Sequence, residues 1–172
     1  IVAGLRQSRD VLHNVRYRGP VRPPPSREAI SETVSQLTMA LFPAHYGKVG
    51  GKAGNGNGSV TAEGIDSFVA GVLKVALPAL CDHLRGTLPF AAAGVPSDDE
   101  LSRQAEAITR EFAAGLPALR GLLVSDLRAA YAGDPAATGH SEILLVYPGM
   151  TAIIHYRLAH ALHKLGARFL AR

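Results

Sequence analysis

Residues 97–135 read SDDELSRQAEAITREFAAGLPALRGLLVSDLRAAYAGDP, and this stretch decides the fold class. Its first half carries apolar residues at helical spacing: Leu101, Ala105, Ile108 and Phe112. Residues spaced by three and four lie on one face of an α-helix, where they can pack on a core. Ser97 and Glu100 form a capping box, in which each side chain satisfies a free N–H group at the start of the helix. The stretch therefore begins with an amphipathic helix.

Pro117 divides this stretch into two predicted helices. Proline lacks the N–H of an interior helical residue but is tolerated at the first helical position, so a new helix is expected to begin there. The second helix has its own apolar stripe: Leu119, Leu123, Leu127 and Ala130. Gly133-Asp134-Pro135 should end it, because the residue before a proline is pushed into extended geometry.

The rest of the chain repeats the helical pattern. Ser26 caps a helix with Ile30, Val34, Leu37 and Leu41, which ends before Pro43. A long helix is predicted from Thr61 to Arg85, kinked or interrupted at Pro78. Another begins near Ser141, and the last runs from Met150 to Lys164 with Gly166 as its C-cap. Since no alternating β pattern of any length occurs, the predicted fold class is all-α.

The domain organisation follows from length and composition. A chain of 172 residues with 47% hydrophobic residues can bury one core. Residues 1–25 are predicted to be an N-terminal arm with a proline-rich strap, and residues 26–172 a helical domain. The glycine-rich segment 47–58 is interpreted as a flexible loop, because it lacks the Walker phosphate-binding pattern.

Composition also indicates the cellular compartment and excludes some classes of binding partner. No apolar run reaches the roughly 20 residues of a membrane-spanning helix, so no membrane partner is expected. Cys81 is the single cysteine, which excludes an internal disulfide, favours the reducing cytoplasm, and is predicted to be buried and inert. The net charge of +4 comes from scattered arginines that are not interleaved with aromatics. No nucleic-acid partner is therefore expected, and a solvated surface or an anionic small molecule explains the charge as well.

Asp134 is the most informative candidate for chemistry. Gly133 frees the backbone before it and Pro135 stiffens the backbone after it. A carboxylate held at a helix end could bind an ammonium group or orient a hydroxyl. The alternative is an ordinary turn aspartate that caps the next segment.

The last predicted helix offers a second set of polar residues. Arg157, His160 and Lys164 share one face, which could be an anion site, a contact with another subunit, or a solvated surface. His155 alone is interpreted as a packing residue. His160 and His163 lack the further ligands of a zinc site, so no metal is expected. No serine has the context of a hydrolase triad.

Several blocks of this sequence together resemble the serine O-acetyltransferases of bacteria, in the branch with a long helical N-terminal extension. They are LPALR at 116–120, DLRAAYAGDPAA at 126–137, EILLVYPG at 142–149 and AIIHYRLAHAL at 152–162, with LFPAHYG at 41–47. The resemblance is strong over residues 116–172 and weaker over residues 26–115. It rests on the order and spacing of the blocks rather than on any single one.

The resemblance implies an activity and a division of labour. In that family acetyl-CoA donates its acetyl group to the hydroxyl of L-serine, giving O-acetylserine for cysteine synthesis. The helical domain precedes a left-handed β-helix of hexapeptide repeats, which holds the general base and the acetyl-CoA contacts. The family's Asp-Pro-Ala block maps onto Asp134, which is expected to be a catalytic and substrate-binding residue.

Because the chain ends at Arg172, it is expected to be an N-terminal fragment that lacks the β-helix. Such a fragment should bind no cofactor, acetyl-CoA being the co-substrate of the full enzyme, and should be inactive alone. The family also implies a homo-oligomer, either trimer or hexamer, and a cysteine synthase partner that binds a C-terminal tail outside this chain. The alternative is a non-catalytic helical module for oligomerisation or partner docking.

Overall fold

The computed structural model describes residues 1–12, 24–47, 61–91 and 96–172. Within these ranges the regular elements are helices and none is a strand, which confirms the predicted all-α class. In chain order the helices are α1 (Val2–Gln7) with a π-helix directly after it (Ser8–Leu12), α2 (Arg27–Leu41), α3 (Pro43–Tyr46), α4 (Ala62–Thr87) with a 3-10 turn after it (Leu88–Ala91), α5 (Asp98–Gly133), α6 (His140–Val146), α7 (Pro148–Lys164) and α8 (Arg168–Ala171).

Two predicted helix starts, at Ser26 and Ser97, are confirmed by their caps. The Ser26 hydroxyl accepts the Ala29 N–H at 3.1 Å at the start of α2. At the start of α5 the Ser97 hydroxyl accepts the Glu100 N–H at 3.2 Å, and the Glu100 carboxylate accepts the Ser97 N–H at 3.0 Å. Each cap satisfies N–H groups that have no partner inside the helix. These boundaries were predictable because a cap depends only on residues three positions apart.

Four helices build the core. Helix α4 packs against α2 and against α5, α5 packs against α7, and α7 also reaches α2. Their apolar stripes face inward, and the largest side chains with almost no exposure include Leu37, Leu84, Leu123 and Ile154. Helix α6 lies against α5 and α7, so the short segment between α5 and α6 is held at one end of this core.

Helix α5 corrects the predicted boundary at Pro117. The helix continues through Pro117 without a break, so no new helix begins there. A proline inside a helix costs about 3 kcal/mol. The neighbouring Leu116, Leu119 and Leu123 are all buried on the same side of the helix, and each buried leucine contributes about 2 kcal/mol. Packing of this stripe outweighs the lost hydrogen bond.

Helix α4 corrects two further expectations. It continues through Pro78, which interrupts nothing. Together with the 3-10 turn it forms a helical stretch, Ala62–Ala91, that is long and apolar enough by length and composition to cross a membrane. The sequence does not reveal this stretch as an uninterrupted apolar run, because Asp66 and Lys74 interrupt it. Only 11% of the window that meets this criterion is buried, although Ala76, Leu80 and Leu84 of α4 lie in the core built with α2 and α5.

The C-terminal end of α7 confirms the predicted glycine cap. Gly166 has φ +89°, a backbone conformation that residues with a side chain rarely adopt. Its N–H bonds the His163 carbonyl, and the Ala167 N–H bonds the Leu162 carbonyl, both at 3.0 Å. This is a Schellman motif, which satisfies the last free carbonyls of the helix. Cys81 differs from its prediction, because it is half-buried on α4 rather than fully buried.

Two predicted segments fall largely outside the described residues. They are the proline-rich strap, of which Pro24 and Pro25 are described, and the glycine-rich loop, of which Gly47 is described. A side chain at Gly47 would clash, since an added Cβ would lie 2.7 Å from the Phe68 ring.

Candidate functional site at the end of helix 5

The segment between α5 and α6 holds Asp134 in a defined geometry. Asp134 is the C-cap residue of α5, with φ −120° and ψ 100°. Its Oδ1 accepts the Ala136 N–H at 2.9 Å, which closes an Asx turn over Pro135. Its main-chain carbonyl accepts the Ala137 N–H at 3.1 Å. The chain therefore turns sharply at Asp134, as the Gly-Asp-Pro triplet predicts.

Tyr147 holds the other carboxylate oxygen. Its hydroxyl donates to Asp134 Oδ2 at 2.6 Å from the junction between α6 and α7. The Tyr147 hydrogen bond and the Ala136 N–H together lower the pKa of Asp134, because both stabilise the ionised form. The same hydrogen bond, with the nearby negative charge, raises the pKa of Tyr147 to about 12. Asp134 is thus an oriented carboxylate, charged at neutral pH.

Glu142 adds a second carboxylate near Asp134. Its Oε2 accepts the Thr138 hydroxyl at 2.6 Å and the Thr138 N–H at 2.7 Å, and these bonds lower its pKa. The negative charge of Asp134 acts in the opposite direction on the Glu142 pKa, and both carboxylates raise the pKa of Tyr147. We call Asp134, Glu142 and Tyr147 the acidic corner. Two nearby carboxylates create a potential that favours a cationic group.

The chemistry of the acidic corner is binding rather than proton transfer. A general base works best when its pKa lies near the working pH, and the lowered pKa of Asp134 makes it a weak base at neutral pH. A charged carboxylate is, however, a strong acceptor for an ammonium group. Both Asp134 oxygens already accept one hydrogen bond, and each has a further lone pair to offer.

The predicted polar face of α7 is divided in the structure. Arg157 donates from Nε and Nη2 to the two carboxylate oxygens of Asp126 on α5, at 2.9 Å and 2.8 Å. Its guanidinium is therefore committed to an ion pair and does not form an anion site with His160 and Lys164. His160 lies 5.6 Å from the Tyr156 ring in a stacked arrangement. His155 is exposed rather than packed, which corrects its interpretation.

Among the described residues, no group of three His, Cys, Asp or Glu side chains could hold a metal ion.

The site residues that sequence reasoning missed are Tyr147 and Glu142. Both lie in the EILLVYPG block at 142–149, but no local spacing connects them to Asp134. Their contacts depend on how α6 folds back on the end of α5.

Comparisons with known proteins agree with this architecture. No family model matches the chain. A serine acetyltransferase of Synechococcus elongatus, described as plasmid-borne, is 38% identical over 177 residues, covering 100% of this chain and 53% of the relative. The crystal structure of Entamoeba histolytica serine acetyltransferase 1 in complex with L-cysteine superposes with a TM-score of 0.62 at 26% identity, over 99% of this chain and 52% of that one.

The chain is a serine acetyltransferase homologue. A shorter match, 49% identical over 57 residues, relates it to a serine acetyltransferase of Mycobacterium tuberculosis and covers 33% of this chain and 23% of that relative. The chain spans about half the length of the Synechococcus relative and of the Entamoeba structure. The resemblance stated from the sequence blocks is confirmed, together with the all-α fold of the helical region.

The hydrogen bond from Tyr147 can be tested directly. Replacing Tyr147 with phenylalanine removes the donor, so the pKa of Asp134 should rise towards its ordinary value. The measurement is an NMR titration of carboxyl-labelled aspartate in residues 1–172. Tyr156→Phe is the matched control, because Tyr156 is exposed on α7 and stacks on His160. An unchanged Asp134 titration in Tyr147→Phe would show that the bond does not orient this carboxylate.

Proposed function

We propose that this chain is the helical half of a serine acetyltransferase and that Asp134 binds the amino group of L-serine. In the proposed reaction the serine hydroxyl attacks the acetyl carbonyl of acetyl-CoA. The hydroxyl proton passes to a base, the C–S bond breaks, and CoA leaves as a thiol. The observation that carries the assignment is a carboxylate fixed at the end of α5 by Tyr147 and Ala136, within a homologue of these enzymes.

The charge at the acidic corner supports an amino-acid substrate. Asp134 and Glu142 are both ionised at neutral pH because their hydrogen bonds lower their pKa values. The Entamoeba relative is a complex with L-cysteine, which carries the same ammonium and carboxylate groups as L-serine. A carboxylate that accepts hydrogen bonds from the ammonium group of L-cysteine can accept them equally well from the ammonium group of L-serine.

The division of labour follows from what the acidic corner lacks. Acyl transfer requires a base for the serine hydroxyl and donors for the developing oxyanion. Asp134 has a lowered pKa and accepts hydrogen bonds, so it supplies neither of them. We therefore expect residues 1–172 alone to show no turnover, and the acetyl-CoA contacts to belong to another part of the enzyme.

The proposal also covers the oligomeric state of the protein and its cellular compartment. Exposed apolar side chains on α6 and α7, among them Val146 and Tyr156, support self-association into a trimer or hexamer. The single cysteine supports the reducing cytoplasm. A cysteine synthase partner remains part of what the family implies.

The test joins residues 1–172 to the remaining part of the Synechococcus relative and follows CoA release. We expect turnover from this chimera and none from residues 1–172. In the chimera Asp134→Asn should raise the KM for L-serine at least tenfold, about 1.4 kcal/mol, while the KM for acetyl-CoA stays unchanged.

The matched control is Asp99→Asn, since Asp99 is an exposed aspartate in the first turn of α5. Equal KM values for L-serine in the wild-type and Asp134→Asn chimeras would exclude Asp134 from the serine site. Turnover by residues 1–172 alone would contradict the proposed division of labour.

A further inference from the structure

A cleft of about 280 Å³ lies between α2, α3 and α7, lined by residues other than those of the acidic corner. Its walls include Ser35, Thr38 and Met39 of α2, Tyr46 of α3, and Thr151 and Ile154 of α7. A cleft of this kind, with an apolar floor and a few convergent polar groups, is the usual form of a small-molecule site.

The hydroxyl hydrogens of two lining residues are already committed. Thr38 donates to the Val34 carbonyl one turn earlier in α2, at 2.8 Å. Tyr46 donates to the Leu144 carbonyl of α6. A hydroxyl that has given its hydrogen to a carbonyl retains oxygen lone pairs, so both of these lining residues keep the capacity to accept a hydrogen bond. A ligand that meets them must bring a hydrogen-bond donor.

The lining also selects against charge. Among the described residues that line the cleft none is Asp, Glu, Lys or Arg. Ile154 is 2% exposed and forms an apolar floor with Met39, while His155 lies exposed at the rim. Moving a charged group onto this floor would lose hydration without gaining an ionic partner. The favoured ligand is therefore neutral.

We propose that this cleft binds a small neutral molecule with an apolar ring and an N–H or O–H donor. The volume sets the size, because an apolar cavity of about 150 Å³ holds benzene and one nearly twice as large accommodates a bicyclic ring. The donor points at Thr38 Oγ1 or Tyr46 Oη, and the ring lies over Met39 and Ile154. This site is independent of the proposed acyl transfer.

The position of Tyr46 connects the cleft to α6. Tyr46 lines the cleft and its hydroxyl donates to the Leu144 carbonyl, and Nε2 of the neighbouring His45 lies 3.1 Å from the Ser141 hydroxyl oxygen. Helix α6 directly follows the segment that carries Asp134. A ligand in the cleft should therefore shift the amide resonances of α6 as well as those of α2 and α7.

Indole is the probe, because it has one N–H donor, no strong acceptor and two fused rings. The protein contains no tryptophan, so the fluorescence of added indole reports the ligand alone. We expect a Kd on the order of 1 mM, with amide shifts confined to α2, α3, α6 and α7. Benzofuran has the same shape with an oxygen in place of the N–H, and it should bind at least fivefold more weakly.

Two variants, each with a control, test whether indole binds in this cleft. Thr38→Val keeps the shape and removes the acceptor, so indole should bind about fivefold more weakly. Thr109→Val is its control, since Thr109 on α5 donates to the Ala105 carbonyl in the same way, at 2.8 Å. Ser35→Trp fills the cleft from an exposed position and should abolish the amide shifts caused by indole, whereas Ser67→Trp on the exposed side of α4 should not. Binding to these two variants is read from amide shifts, since the introduced tryptophan fluoresces like the probe.

The proposal fails on any of three results. One is the absence of amide shifts in α2 and α7 with indole at 10 mM, roughly ten times the expected Kd. The second is equal affinity for indole and benzofuran, which would remove the donor requirement. The third is unchanged indole binding in Ser35→Trp, which would place the ligand elsewhere.

Discussion

Leu123→Ala should lower the free energy of unfolding by about 3–4 kcal/mol. Leu123 has 0% exposure and lies in the C-terminal half of α5, in the buried stripe of the helix that packs against both α4 and α7. Removing its isobutyl group loses the transfer free energy of the buried atoms. It also leaves a cavity that neighbouring helices cannot fill without moving.

Urea unfolding followed by circular dichroism at 222 nm measures this effect, and a fall in Tm of about 10 °C should accompany it. Leu122→Ala is a matched control, because Leu122 is adjacent in the same helix but 51% exposed. Its substitution should cost less than about 1 kcal/mol. Similar losses in the two variants would mean that the stripe of α5 is not the centre of the core.

The parts of this fold that the sequence predicts well are local. The Ser97 capping box, the end of α5 at Asp134 and the Gly166 cap each depend on residues within one or two turns. Their geometry follows from backbone preferences that act wherever the residues occur. The prediction at Pro117 was wrong because the outcome there depends on contacts that are not local. A local rule gives a helix boundary there, but the buried leucines on both sides of Pro117 come together only in the folded core.

The candidate site shows the same contrast. Asp134 could be singled out from its neighbours Gly133 and Pro135, and its role was inferred by resemblance. Tyr147 lies thirteen residues further along, and its bond to Asp134 forms because α6 reverses the chain. For Arg157 the sequence left an anion site, a subunit contact and a solvated surface open, because its partner Asp126 is 31 residues away on another helix. Such pairings require the tertiary arrangement of the helices, which periodicity does not give.

That pairing makes a second prediction, which concerns how α7 is fixed to α5. Asp126 and Arg157 form a two-point ion pair with side chains 20% and 29% exposed, so it is only partly screened by water. Charge-assisted bonds in such positions contribute about 2 kcal/mol. A double-mutant cycle with Asp126→Ala, Arg157→Ala and the double variant should therefore give a coupling energy of about 2 kcal/mol in urea unfolding.

A matched control is the Asp82–Arg85 pair on α4, which is 3.7 Å apart and has Asp82 74% exposed. Its cycle should give less than about 0.5 kcal/mol, because an exposed pair is well solvated when broken. Equal coupling energies for the two pairs would show that the Asp126–Arg157 geometry has no special role in docking α7.

The pH dependence of the Asp126–Arg157 coupling follows from the pKa of Asp126. The hydrogen bond from Arg157, and then its charge, lower that pKa in the folded state. The stabilisation that the ionised Asp126 contributes is therefore fully present above its unfolded-state pKa, about 4. It is lost as the pH falls through its lower folded-state pKa. We expect the coupling energy to be constant from pH 8 to pH 6, where Asp126 is ionised in both states, and to shrink only in acid. A coupling that grew on acidification would contradict an ionised Asp126 as the partner of Arg157.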